Sequence, residues 1–189
     1  MKVFIYLLPC SIYYLWRVEN LNYRLANESD IGLIYQLAEK IWKIHYPTII
    51  THAQIDFMLD KMYSKVALLE QMNNGHQFWI LYQQTNPIGY LSYSRDSEEE
   101  YFLNKLYLNP DYHIKGIGSW FMHKIFDILP NKSAIRLTVN RKNFTAINFY
   151  FKNGFFIEKV EDFDIGNGFF MNDFVMIKKF TPSASIKNH

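Results

Sequence analysis

At 189 residues, with 49% apolar and 20% charged side chains, the chain can bury a real core and is too apolar to remain disordered. Its 20 Lys and Arg against 18 Asp and Glu leave a formal net charge of +2, which excludes bulk attraction to nucleic acid or an anionic membrane. The lone cysteine, Cys10, excludes an internal disulfide and argues against a cysteine-based zinc site, so no metal and a reducing, cytoplasmic setting are expected.

Residues 1–20 hold Lys2 and the apolar run Val3–Trp16. That run is shorter than the roughly 20 apolar residues of a spanning helix, and no small-residue cleavage site follows it. It reads as an extension outside a domain of residues 21–181, with 182–189 a polar tail; stable membrane insertion is not expected.

Tyr23–Leu25 reads as a short opening strand. Apolar residues at Ile31, Ile34, Leu37, Ala38, Ile41 and Trp42 recur at helical spacing over Asp30–His45. Thr51 and Gln54 form a capping-box pattern before a helix carrying Ile55, Met58, Leu59 and Met62, and a further helix covers Lys65–Met72. Strands follow at Gln77–Tyr82 and Ile88–Tyr93, flanking the turn signal Gln84–Pro87, and at Glu100–Leu108. Asn109-Pro110-Asp111 interrupts the chain before a helix at Gly116–Leu129. Ile135–Val139, Asn143–Lys152, Phe155–Val160 and Phe174–Phe180 read as strand, helix, strand and strand. Hairpins mixed with strand–helix–strand crossovers give an α/β (α+β) class.

Two segments carry chemistry. His113-Ile114-Lys115-Gly116-Ile117-Gly118-Ser119 joins a strand to a helix through a glycine pair. Glycine permits a tight turn and close backbone approach. The first helical amides lack internal partners, and the helix dipole is positive there, so a phosphate suits the place. A Walker-type loop is excluded for want of its second half, and a dinucleotide fingerprint because Phe121 stands where a third glycine is needed. In the second segment, Asn143, Ala146 and Tyr150 share one helix face, and Gly154 ends that helix.

Together these segments resemble the GNAT superfamily of N-acetyltransferases. The family's Q/R-x-x-G-x-G/A pattern is met at Gly116 and Gly118, with His113 replacing the first residue. Its N-x-x-A-x-x-[FL]-Y-x-x-x-G-F pattern is met by Asn143, Ala146, Phe149, Tyr150, Gly154 and Phe155, and Asn172–Met176 is similar to its last strand. The resemblance implies a mixed, mostly antiparallel central sheet flanked by helices, with acetyl-CoA as cosubstrate. The backbone of Leu106, Tyr107 and Leu108 would pair with the pantetheine arm. The amides of His113, Ile114, Lys115, Gly116, Ile117, Gly118 and Ser119 would hold the pyrophosphate, and Asn143 would bond the pantetheine region.

Tyr150, beside the thioester sulfur, would be the general acid in a direct transfer to a primary amine, either a small molecule such as a polyamine or a peptidyl amine. A base must take the ammonium proton, and Glu100 is the first candidate among Glu98, Glu99 and Glu100. Trp42, His45, Tyr46, Asp56 and residues 162–172 would shape the acceptor site. Lys105 reads as a surface or ion-paired residue, and His45 and His52 as helix-end residues. The partners expected are acetyl-CoA, an amine and at most a second copy of the chain as a homodimer. The alternative is a noncatalytic acyl-CoA-binding regulatory module.

Overall fold

The computed structural model of the chain describes residues 20–112 and 114–181. The apolar run Val3–Trp16, the tail 182–189 and His113 therefore lie outside the described residues. Seven strands form one sheet: β1 (Leu21–Leu25), β2 (Gln77–Gln83), β3 (Asn86–Arg95), β4 (Glu100–Leu108), β5 (Ala134–Asn140), β6 (Phe156–Gly166) and β7 (Phe169–Lys179). Their order is β1-β2-β3-β4-β5-β7-β6. Every neighbouring pair is antiparallel except β4–β5. That parallel pair requires a crossover, which α4 (Ile117–Asp127) supplies. Helix α5 (Phe144–Lys152) links β5 to β6, and β7 returns between them.

Helices α1 (Ile31–His45), α2 (His52–Tyr63) and α3 (Lys65–Asn73) pack on one face of the sheet. The stripe Ile31, Ile34, Leu37, Ala38, Ile41 and Trp42 is buried throughout, as its spacing predicts. It meets Ile55, Leu59, Leu68, Phe78, Ile80 and Tyr90 in one core cluster. The opposite face carries α4 and α5, where Phe121, Met122, Ile125 and Ile147 pack on Leu81, Leu91, Leu137 and Met176.

Three local readings change. The Thr51 hydroxyl caps α2 by accepting from the Gln54 amide at 3.2 Å, but the Gln54 side chain donates instead to the Phe170 carbonyl at 2.8 Å. The reciprocal half of the capping box is thus exchanged for a tie between α2 and β7. The last two strands run 11 residues each, longer than their apolar runs. Polar residues extend them, because β6 is an edge strand with most of its side chains in solvent.

The feature that positions the site is a break in β4. Ser92 pairs with Lys105 and Tyr93 with Leu103, leaving Asn104 as the extra residue of a β-bulge. The Asn104 side chain fixes it by donating to Ser94 Oγ at 3.0 Å. A bulge bends the strand and reverses which residues face which side. Tyr101 and Leu103 face the α4–α5 core before it, and Leu106 and Leu108 face that core after it, while Lys105 and Tyr107 turn to the α1–α3 side. Pairing of β4 with β5 is confined to Glu100–Phe102 against Ala134–Arg136, and beyond it the two strands part.

Candidate active site

The parted strands open a cavity of about 480 Å³ that passes through the plane of the sheet. Trp42, Tyr46, Gln54 and Met58 line it from the α1–α2 side, and Gly118, Ala146, Phe149 and Tyr150 from the α4–α5 side. Leu106–Leu108 form its wall. The Asn109 amide donates to the Ile88 carbonyl at 2.8 Å, so Asn109, and by alternation Tyr107, direct their backbone groups at β3. The backbone of Leu106 and Leu108 consequently faces the gap, and neither residue has a backbone partner there among those described. An open strand edge of this kind accepts an extended ligand as an added strand.

Gly89 permits this wall to stand where it does. A Cβ on Gly89 would lie 2.6 Å from both the Tyr107 carbonyl oxygen and a methyl of Leu108. At the end of the wall, Asn109 is buried and its side chain accepts from the Asp111 amide at 3.1 Å, which holds the turn toward α4. Gly116 caps α4 with φ of 81°, a left-handed conformation that glycine adopts without strain. The Gly118 and Ser119 amides have no acceptor among the described residues. A Cβ on Gly118 would come within 3.2 Å of Phe149 and 3.3 Å of Leu108, so glycine there keeps α4 close to both β4 and α5. Free amides at a helix start, next to an open strand edge, fit a pyrophosphate with an extended arm.

Across the gap, His45 at the end of α1 meets Asn143 at the start of α5. Asn143 Oδ1 accepts from the Ala146 amide at 3.2 Å, which leaves its Nδ2 to donate to His45 Nε2 at 3.1 Å. Nε2 is therefore an acceptor, and His45 is neutral with its proton on Nδ1. Burial also lowers the His45 pKa. Asn143 thus caps a helix, ties the two sides of the sheet together and still has one amide hydrogen free.

Four tyrosines converge nearby. The hydroxyls of Tyr46 and Tyr107 lie 3.1 Å apart, and the Tyr90 ring packs on Tyr107 with centroids 5.5 Å apart. Tyr150 is enclosed between Phe149 and Phe155, and its hydroxyl has no hydrogen-bond partner among the described residues. Burial pushes its pKa well above the usual phenol value, as burial lifts Tyr46 to about 12. These groups stay protonated at neutral pH, a state in which a phenol can donate.

Leu106–Leu108, Gly118, Asn143 and Tyr150 thus meet at one cavity, as do Trp42, His45 and Tyr46. Glu100 does not join them. It sits at the closed end of the β4–β5 pair, bonded to Arg136 at 2.9 Å, six residues and about 20 Å of strand from Leu106. Asp56 faces away from the cavity, on the opposite side of α2. Lys105 is neither exposed nor ion-paired among the described residues. It is 4% exposed, donates to Gln71 at 2.6 Å and lies over the rings of Tyr63 and Phe78. Helices cover both faces of β4, so Lys105 is buried on either, and the bulge directs it to the α1–α3 side. The site residue missing from the sequence reading is Asp173, a buried carboxylate on the cavity wall. Its alternation with Val175 and Ile177, both buried, was the available signal.

Among the described residues there is no cluster of three or more His, Cys, Asp or Glu that could hold a metal, and no helix is long and apolar enough to cross a membrane. A model of the Acetyltransferase (GNAT) family matches residues 34–155. The spermidine N(1)-acetyltransferase of Thermoplasma acidophilum is 30% identical over 168 residues, covering 85% of this chain and 98% of that protein. An uncharacterized N-acetyltransferase of Mycobacterium bovis is 28% identical over 154 residues, covering 80% of this chain and 98% of that protein. The crystal structure of the PaiA N-acetyltransferase from Thermoplasma acidophilum, in complex with coenzyme A, superposes with a TM-score of 0.71 at 29% identity, covering 85% of this chain and 99% of that one. Strand order, open strand edge and family match agree: the chain belongs to the GNAT family and is an acetyl-CoA-dependent N-acetyltransferase.

Proposed function

We propose that the protein transfers acetyl directly from acetyl-CoA to a primary amine of the polyamine type, with Tyr150 as the general acid. The observation that carries this is the Tyr150 hydroxyl, which has no hydrogen-bond partner among the described residues and belongs to the same cavity as the open edge of β4. A thiol leaving group has a pKa of about 8.5, so protonating its sulfur as the C–S bond breaks lowers the barrier. Leu106 and Leu108 would bond the pantetheine arm through their backbone, and the loop His113–Ser119 would receive the pyrophosphate, chiefly on its unbonded Gly118 and Ser119 amides, since those of Ile114 and Ile117 already donate to Tyr112 and Ile114. Asn143 would offer its remaining amide hydrogen. Glu100 is not carried forward as the base, because Arg136 holds it outside the cavity.

Support for a polyamine-like acceptor comes from the relative named as a spermidine N(1)-acetyltransferase and from the walls of the α1–α2 side. There Trp42, Ile50, Met58, Met62 and Met171 supply an apolar lining suited to an alkyl chain. Tyr150→Phe is expected to lower kcat by about 100-fold or more, the usual contribution of a general acid. Acetyl-CoA affinity should change by no more than a few fold in calorimetry. An unchanged kcat with spermidine would remove Tyr150 from that role.

A further inference from the structure

Direct transfer to an amine needs a group to hold the incoming ammonium and take its proton, and Glu100 lies in the wrong place. We infer that Asp173 is that group: its buried carboxylate on the acceptor wall of the cavity would bind the cationic nitrogen of an alkylamine and accept a proton from it. The inference rests on the amine-acetyltransferase reading and identifies the acceptor class as a cation at the reacting end.

The geometry sets Asp173 apart from the other acids. It is the one cavity-lining carboxylate among the described residues, and it is 5% exposed. It pairs with Asn140 across β5–β7, on the sheet face that Met171 shares with the α1–α2 core. No cation forms an ion pair with it among the described residues. Arg141 acts on its charge, yet its guanidinium is bonded to Asp162, and Lys105, which lines the same cavity, donates to Gln71. A buried carboxylate without a cation is costly to maintain. An incoming ammonium would relieve that cost, whereas a neutral acceptor would not.

Thr138 on β5 and Arg141, which follows it, favour its charged form; Glu161 is its register partner on β6 with Asp162 beside it, His45 and Lys105 line the same cavity, and Tyr46 from the turn after α1 feels its charge. Burial dominates and lifts its pKa to about 6, with Thr138 and Arg141 working the other way. It is therefore ionised at neutral pH, and it remains a better proton acceptor than an ordinary aspartate.

The protons and bonds balance. Asp173 takes one proton from the ammonium, and the freed nitrogen lone pair forms the C–N bond to the thioester carbonyl carbon. The C–S bond then breaks, sulfur receives the Tyr150 proton, and the second amine proton restores the phenol. Asp173 releases its proton to solvent. The net products are the N-alkylacetamide, CoA thiol and one proton.

The test uses the full chain, with spermidine and n-butylamine as probes. In the wild type, kcat/KM for either amine should show an acid limb near the Asp173 pKa. Asp173→Asn should lower kcat/KM by at least 100-fold, abolish that limb and remove calorimetric binding of spermidine to the CoA complex, while CoA itself still binds within a few fold. Retained amine binding with an unmoved acid limb overturns the inference and leaves the acetyltransferase reading standing. Wild-type protein that binds acetyl-CoA but releases no CoA with any amine overturns both. Should Asp173→Asn fail to fold, Asp173→Glu decides. Its displaced carboxylate should cut kcat at least tenfold while keeping a shifted acid limb, and unchanged kcat and limb refute the role.

Discussion

Lys105 shows how one residue's environment becomes a property of the whole protein. Burial lowers its pKa to about 8, from an ordinary value of 10.5. Between those two values the unfolded chain binds more protons than the folded one, so stability rises with pH across that window. Below pH 8 the full penalty of a buried ammonium applies, about 3 kcal/mol at most for a shift of this size. The bond to Gln71 and the Tyr63 and Phe78 rings offset part of it. Lys105→Met, which fills the same space, should therefore be as stable as the wild type or more so at pH 7. Its advantage should shrink as the wild type gains between pH 8 and 10.5. Denaturant melts of both proteins at pH 7 and pH 10 check this, and parallel behaviour at the two pH values would mean that Lys105 is not desolvated. The sequence could not announce this lysine. A single Lys in a strand reads as solvent-facing, but helices cover both faces of this sheet, and the extra residue Asn104 decides that Lys105 enters the α1–α3 side rather than the α4–α5 side. Asp173 escaped notice for a related reason: an acid between Asn172 and Phe174 looks like a surface strand position until α1 and α2 cover the face it shares with Met171.

At the scale of elements, periodicity made the helices and the succession of strands along the chain legible, because each helix stripe and each hairpin turn is a local signal. Irregularity was not legible. The bulge at Asn104, the parting of β4 from β5 and the length of β6 all depend on pairing partners distant in sequence. Gly89 and Gly118 illustrate the difference, since neither has a positive φ and both are required only by what lies opposite. Gly89→Ala would put a methyl group 2.6 Å from the Tyr107 carbonyl, a contact that backbone must move to relieve. Its cost should be about 1–3 kcal/mol of stability, and the displaced wall should raise KM for acetyl-CoA severalfold. Gly118→Ala meets only side-chain atoms of Phe149 and Leu108, at 3.2 and 3.3 Å, which can yield by a few tenths of an ångström. It should be the milder change in both melting temperature and KM. The reverse ranking would mean that β4 is free to retreat from β3, and the close approach would then have no part in shaping the site.

For the molecule as a whole, the cavity lies where the two core clusters are least joined. The α1–α3 side and the α4–α5 side share the sheet, but β4 and β5 are paired over three residues only. The His45–Asn143 bond is one polar tie across the remaining gap. A ligand that lies along β4 and reaches the start of α4 would add bonds at this seam. Any ligand that binds only the native state stabilises it, by about 2.7 kcal/mol at a concentration 100 times its Kd. Acetyl-CoA should raise the melting temperature accordingly, and hydrogen exchange should locate the effect. The amides of Leu106 and Leu108, which face the gap, should become strongly protected, whereas that of Asn109, already bonded to Ile88, should change little. Protection at Leu106 and Leu108 is the part a nonspecific stabiliser would not reproduce. A raised melting temperature with those two amides unchanged would place acetyl-CoA somewhere other than the open edge of β4, and would take from Tyr150 and Asp173 the thioester on which both are proposed to act.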